Sequence, residues 1–389
     1  MRESVERWPS VGREQLVWHD ARRYDAVVVP PLAGLNLAVA LSRDVLLESA
    51  AAERAVAEFD ARMTGVFGDL EIGTVDSVLM RTEAASSSQI EQLTVGAAQL
   101  AVAVLGESRK ANAQLVASNV ATMRAAIELS DRMDLPAVLA IHGELMRGTE
   151  IAPGLRSEQL WIGTSSSTPV GADFVPPAHE RVGSAMEDLL EFTALAGATP
   201  LAHAAVVHAQ FETIHPFVDG NGRVGRALLH AMLRHAGVTK HLTVPVSAGL
   251  LADTSAYIDA LEAYRSGDPE PIVRQVAVAA RAGVEQGTDL LEELVALRRE
   301  WGQAVVVRRG STAARMLDFL VGQPAVTVSH VAGQLGVSQE AARTAILSLV
   351  DSGVLSKIST GNRNQVWIAR AVTDTFDRVA ANGPRRRPY

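Results

Sequence analysis

The chain has 389 residues, enough for two or three domains, and its 48% hydrophobic and 21% charged content is that of an ordinary globular protein. It contains no cysteine, which excludes disulfides, thiolate metal sites and cysteine nucleophiles, and suits the reducing cytoplasm expected as its location. The net charge of −8 argues against a dedicated nucleic-acid binder, yet residues 311–389 carry nine Lys/Arg against five Asp/Glu, so an acidic chain has a basic end.

The opening MRESVERWPS lacks the apolar segment of a secretory signal, and no apolar run is long enough to span a bilayer, so no membrane partner is expected. Residues 1–50, with Pro9 and Pro30–Pro31, read as an irregular arm leading into a helix from about Leu41. Helical periodicity covers 41–64, then 75–105 as one stretch, 108–132 and 137–147. Between 151 and 178 the character changes. Gly and Pro cluster around two strand-like pieces, QLWIG and ADFV, which predicts a β-hairpin flap. Helices resume at 179–196, 199–213, from Arg223 to about Ala236, 253–265 and 269–308. Three further helices at 312–321, 327–335 and 338–352, followed by two alternating strands around Gly361–Asn362, make a winged-helix pattern, with Ser338 as an N-cap. A disordered end, ANGPRRRPY, is expected. The fold class is thus mainly α, with a β-hairpin flap and a C-terminal winged helix-turn-helix. The division runs 1–105, a helical region; 106–282, a core; 283–310, a linking helix; 311–371, the winged helix; and 372–389, a basic tail.

The segment His215-Pro216-Phe217-Val218-Asp219-Gly220-Asn221-Gly222-Arg223-Val224-Gly225-Arg226 carries the chemistry. An apolar helix ends at His215, where Pro216 stops it. Gly220 and Gly222 permit a loop that turns several N–H groups to one point, and a helix N-terminus there makes an anion site. Arg223 and Arg226, three apart, lie on one helix face and suit phosphate oxygens. Asp219 alone is anionic and suits Mg²⁺. His215 titrates near neutrality, as a general base should. Base, metal ligand, anion nest and two cations within twelve residues point to phosphoryl or nucleotidyl transfer. His203, His208, His230 and His235 flank the motif and are assigned no role.

HPFVDGNGRVGR resembles the full signature of the Fic family, HPFx(D/E)GNGRxxR, at every defined position. WIG at 161–163 and FVPP at 174–177 resemble that family's flap region, and the likeness covers roughly residues 20–280. The resemblance implies a protein adenylyltransferase moving AMP from ATP to a Ser, Thr or Tyr hydroxyl of a target protein and of itself. It implies that His215 takes the hydroxyl proton and Asp219 holds Mg²⁺. Gly220, Asn221, Gly222 and Gly225 would bind the phosphates, Arg223 would assist, Arg226 would pair with the γ-phosphate, and Phe217 would pack the loop onto the core. Tyr257 falls where the family has a tyrosine in the base pocket, with Ile258 in place of a second one. Ser87 and Glu91, in SSSQIEQ, resemble the inhibitory motif (S/T)xxxE(G/N), whose glutamate pairs with the second arginine, here Arg226. Gln92 departs from the Gly or Asn usual there.

Trp161, Ile162 and Gly163 begin the flap, where an extended target chain could add as a strand. In the C-terminal module, 338–352 would be the recognition helix. Arg343 on it, and Lys357 and Arg363 on the wing, are the candidate DNA contacts; the cations are few, and protein docking or a homodimer stays open. The alternatives are a transcription regulator whose Fic portion only senses nucleotide, and a Fic enzyme that removes AMP or transfers another nucleotide.

Overall fold

The computed structural model describes residues 8–66, 71–163, 165, 167–195, 199–305, 308, 310–359 and 365–382. The chain opens with β1 (Gly12–Val17) and β2 (Arg23–Val28). Helices α1 (Leu37–Ala40), α2 (Arg43–Val66), α3 (Ile72–Ile90), α4 (Ala97–Val104), α5 (Ala111–Glu128) and α6 (Leu135–Met146) follow. After the flap come α7 (His179–Thr193), α8 (Pro200–Ile214), α9 (Asn221–His235), α10 (Val246–Ala252), α11 (Thr254–Arg265) and α12 (Glu270–Ala304). The C-terminal part comprises α13 (Thr312–Gly322), β3 (Ala325–Val326), α14 (Val328–Leu335), α15 (Gln339–Asp351), β4 (Ser356–Lys357), β5 (Trp367–Ile368) and α16 (Arg370–Asn382). The fold is mainly helical with small antiparallel sheets, as anticipated. Two compact units are discernible, neither of them continuous in sequence.

The first unit takes Met1–Arg54, Ala121–Val238 and Asp253–Ala279. Its start is not an irregular arm. β1 and β2 pair antiparallel, from Gly12 opposite Val28 to Val17 opposite Arg23. In RYDAVV the buried Tyr24 and Ala26 alternate with the exposed Arg23 and Asp25, a period of two that decides strand over coil. Tyr24, Ala26 and Val175 form a small apolar cluster on which Leu16, Trp18 and Trp161 pack. The hairpin thereby backs the flap, and Val27 N–H donates to the Val175 carbonyl at 3.0 Å. The expected flap hairpin contracts to one antiparallel bridge, Ile162 with Phe174. Gly163 packs so closely on the other limb that an added Cβ would sit 3.0 Å from Ala172 Cα.

The core of this unit surrounds α8, which is buried over almost its whole length. Thr199 accepts a hydrogen bond from Ala202 N–H and Pro200 occupies the first turn, so the helix start is fixed locally. Phe192, Leu201, Phe211 and Phe217 are fully or nearly fully buried. Each such side chain stabilises the fold by about 2–3 kcal/mol through removal from water.

The second unit takes Ala55–Val120, Thr239–Ala252 and Ala280–Tyr389. The single helical stretch expected over 75–105 is broken: α3 ends at Ile90 and α4 starts at Ala97. The break lies at Gln92, whose φ is +63°. Two buried acids of this unit hold backbone N–H groups. Asp60 accepts from the N–H groups of Lys240, His241 and Leu242 at 2.7–3.1 Å, and Glu83 accepts from Ser247 N–H at 2.8 Å. α10, unanticipated from the sequence, follows directly on these bonds.

α13, α14 and α15 appear within two residues of their expected ends, each capped by its own hydroxyl: Ser311, Thr327 and Ser338. β3, β5 and β4 form a three-stranded antiparallel sheet in that order. Residues 372–382 are not tail but the body of α16, which turns Val372 and Val379 inward. Arg81 of α3, 8% exposed, donates to the Gly322 carbonyl and to Gln323 Oε1. Gln323 Nε2 in turn donates to the Ala101 carbonyl at 3.2 Å, and Asp377 of α16 accepts from Ala97 N–H at 3.0 Å.

Candidate active site

α8 cannot continue past Ile214 because Pro216 follows, and His215 closes it in the left-handed region, at φ 51° and ψ 62°. For a residue with a Cβ this conformation costs about 1–2 kcal/mol and persists only where its surroundings fix it. Several bonds do so. His215 N–H donates to the Phe211 carbonyl at 2.9 Å. Asn221 clasps Phe217 from both sides, its Oδ1 accepting from Phe217 N–H and its Nδ2 donating to the Phe217 carbonyl, each at 2.8 Å. Phe217 is fully buried; it stacks on His142, ring centroids 3.8 Å apart, and meets Phe211 edge-on.

Gly220 follows at φ 84°, where a Cβ would collide with Leu145, so glycine is required there for conformation and for space. α9 begins at Asn221. The N–H groups of its first turn lie beyond its own hydrogen-bond ladder, and no acidic residue occupies that turn. Gly222 and Arg223 sit in this turn, and Arg226 comes one turn later, 2% exposed. Arg223 is nearly buried; its Nη2 lies 3.1 Å from both carboxylate oxygens of Asp219, whose side chain is 49% exposed. One half-exposed carboxylate at an anion site suits Mg²⁺, which binds through one or two carboxylates and completes its shell with phosphate and water oxygens. No cluster of three or more His, Asp or Glu able to hold a metal occurs among the described residues.

His215 keeps its Nδ1 buried while the residue as a whole is only partly so. Burial, then the positive charge of Arg156, lowers its pKa to about 4; the Glu212 carbonyl and Asp219 pull weakly the other way, and Arg265 adds to the lowering. The expected titration near neutrality is thus not found, because burial disfavours the imidazolium; the imidazole is neutral at physiological pH, the form that accepts a proton. His208, given no role from sequence, is fully enclosed in α8, with Nε2 2.6 Å from the Tyr257 hydroxyl. Burial and Arg226 lower its pKa to about 3. Tyr257, 3% exposed, lies stacked against His208, whereas Ile258 beside it is 53% exposed. Gly225 packs directly on the other edge of the His208 ring.

Trp161 and Gly163 flank the bridged Ile162, which is 48% exposed, and Trp161 packs edge-on against Trp18 of the N-terminal hairpin. In the second unit, Ser87 is fully buried in α3 and Glu91 caps the C-terminus of that helix. Arg343 on α15 and Lys357 on β4 are both exposed; Arg363 lies outside the described residues. Sequence reasoning missed Arg156 and His142. His142 touches the loop through Phe217 and through the Asp219 carbonyl, 3.2 Å from its Nε2. Arg156 follows the Pro153-Gly154 turn, and nothing in its own neighbourhood of sequence marks it.

Residues 132–233 match the sequence profile of the Fic/DOC family. A Caenorhabditis elegans relative described as protein adenylyltransferase fic-1 is 26% identical over 158 residues, which is 40% of this chain and 29% of that protein. An Aquifex aeolicus relative, described as a probable protein adenylyltransferase, is 32% identical over 102 residues, 26% of this chain and 30% of that one. The chain thus spans under a third of the length of these curated relatives. A solved Fic family protein from Desulfovibrio desulfuricans G20 superposes with a TM-score of 0.53 at 22% identity, over 85% of this chain and 96% of that one. At that identity the likeness concerns the fold. The chain therefore contains a Fic domain, residues 132–233, within a mainly helical fold shared with a Fic family protein of known structure.

Proposed function

We propose that the chain is a protein adenylyltransferase that moves AMP from ATP to a Ser, Thr or Tyr hydroxyl of a target protein and of itself. The observation that carries this reading is the order of groups at the α8–α9 junction: a neutral His215 held in a strained turn, then Asp219, then a helix N-terminus with Arg223 and Arg226. A hydroxyl is a poor nucleophile until its proton is taken. His215 receives that proton as the hydroxyl oxygen bonds to the α-phosphorus, and the bond from that phosphorus to the bridging oxygen breaks to release pyrophosphate. The first-turn N–H groups of α9 and the two arginines meet the phosphate charge without reorganising. Mg²⁺, held by Asp219, would neutralise part of the polyphosphate charge. The site as described binds phosphate without reading the base, so removal of AMP or transfer of another nucleotide is the competing chemistry.

Glu91 acts as a brake in this reading, competing with the γ-phosphate for Arg226. Gln92 supports a preserved brake geometry. At φ +63° it takes the conformation that glycine and asparagine favour, the residues usual at that place. An extended target would add beside Trp161–Gly163, backed by the N-terminal hairpin. The helix and strand order of residues 312–368 supports a winged helix, with α15 as its contact helix. Glu340, Arg343 and the 45% exposed Leu347 share the accessible surface of α15, a mixture suited to a protein partner as much as to DNA. A purely nucleotide-sensing regulator would have no need of the base.

The test is incubation with each labelled nucleoside triphosphate and Mg²⁺. Glu91→Gly should raise self-modification from low to readily detected, and His215→Ala in that background should lower it by about 10²–10⁴-fold while nucleotide binding persists. Equal self-modification with and without His215 would overturn the mechanism.

A further inference from the structure

Arg156 is 3% exposed, and its guanidinium hydrogen-bonds backbone carbonyls rather than a carboxylate. Nε donates to the His215 carbonyl at 2.8 Å, and Nη1 to that of Glu158 at 3.1 Å. Nη2 donates to the carbonyls of Pro177 and Ile214, the latter at 3.4 Å. The Arg156 backbone N–H donates to the Pro216 carbonyl at 2.9 Å. Three consecutive residues, Ile214, His215 and Pro216, are thus held by one arginine, at the one position of this loop where a residue with a Cβ is left-handed.

Burying a cation without a hydrogen-bonded carboxylate is costly, and the charge of Glu180 supports it only from a distance. What compensates is the C-terminal end of α8, whose last carbonyls carry partial negative charge and favour a cation. Burial lowers the Arg156 pKa only to about 10, so the group stays charged at neutral pH. Its planar fork spans several acceptors in fixed directions, which an ammonium cannot do. The same fork reaches Pro177, at the foot of the flap.

We propose that Arg156 is a positioning residue for nucleotidyl transfer: it locks the backbone of His215 in the left-handed conformation that aims the imidazole, and ties that conformation to the base of the flap. This rests on the reading of His215 as the base. Arg156 itself touches neither hydroxyl nor phosphate; it acts through His215.

The experiment compares Arg156→Met, Arg156→Lys and His215→Ala, singly and combined, in the Glu91→Gly chain. Self-modification rates, kcat and KM for ATP and separately measured nucleotide affinity are recorded. Transfer by the Glu91→Gly parent and its loss in His215→Ala are checked first, so failure of the underlying reading is distinct from failure here. A misdirected base costs about 10²-fold in kcat, with KM and nucleotide affinity little changed. Arg156→Lys, which keeps the charge but cannot span the carbonyls, should fall between parent and Arg156→Met. Most tellingly, Arg156→Met should cost nothing further once His215 is gone. An equal fold-loss with and without His215, or a loss appearing in nucleotide affinity instead of kcat, overturns the proposal. Should Arg156→Met fail to fold, Arg156→Lys with and without His215 decides by the same criterion.

Discussion

Gly225 occupies a position that the family signature leaves free, and the structure gives it a definite requirement. It lies inside α9, where alanine is ordinarily better than glycine by about 1 kcal/mol. Helix propensity alone therefore predicts that Gly225→Ala stabilises. A Cβ there would stand 2.9 Å from His208 Nδ1, 3.1 Å from Phe211 Cδ1 and 3.2 Å from His208 Cε1. The His208 ring cannot step aside: it is stacked on Tyr257, and its Nε2 is 2.6 Å from that hydroxyl. Overpacking a fixed core costs about 1–3 kcal/mol, and a locked ring places this case in the upper half of that range. The net expectation is destabilisation by roughly 1–2 kcal/mol, with weaker nucleotide binding as the start of α9 is pushed from α8. Urea unfolding reads the difference as a fall in the midpoint at constant slope. In a His208→Ala background the same substitution should become neutral or stabilising, since the obstacle is gone. A raised midpoint for Gly225→Ala in the parent, or the same change in both backgrounds, would refute the reasoning.

Asp219→Ala should abolish Mg²⁺-dependent transfer and, because it takes a partner from the nearly buried Arg223, lower stability by about 1–3 kcal/mol; full activity in a chelator would remove the metal role. Stability should fall as the medium is acidified. His208 and His215 have folded pKa values lowered from 6.5 to about 3 and about 4, so only the unfolded chain takes up their protons between pH 6.5 and those values. Their contribution is complete above pH 6.5 and declines below it, by roughly 2 kcal/mol each at pH 5, and an unfolding free energy equal at pH 8 and pH 5 would contradict it. Charge reversal at Lys357 should weaken DNA binding uniformly and flatten its salt dependence, whereas substitution at Arg343 should relax sequence preference; no gel shift with any duplex at low salt would leave protein docking as the role of α15.

The junction of α8 and α9 was legible in the sequence because its parts are contiguous. Proline, two glycines, a carboxylate and two arginines each act within a few residues of where they stand. Arg156 was not legible, since its value comes from carbonyls 58 and 59 residues away in sequence, and backbone acceptors leave no mark in composition. The N-terminal hairpin was hidden by Pro9 and Pro30–Pro31, which lie outside the strands; the alternation in RYDAVV was the signal to weigh. The capping hydroxyls of α13, α14 and α15 made the C-terminal helices readable to within two residues, whereas α16 looked like tail because its polar face is large. The break after Ile90 passed unread because Ile90, Glu91 and Leu93 continue the helix-favouring run; Gly96, just before α4, and the backbone angle of Gln92 mark it.

The bonds linking Arg81, Gln323 and Asp377 to the surrounding helices have a consequence for local opening. α3 cannot fray outward from its middle without breaking two buried hydrogen bonds to the end of α13, and α4 cannot lift from its start without losing Asp377 of α16. Gln323 joins the two events, since it accepts from Arg81 and donates to Ala101 of α4. Segments coupled in this way open as one cooperative block. Amide protons of α3, α4 and α13 then share one protection free energy, and a substitution at Gln323 lowers protection in all three at once. The helix that ends at Glu91 thereby takes its rigidity from residues more than two hundred positions further along the chain.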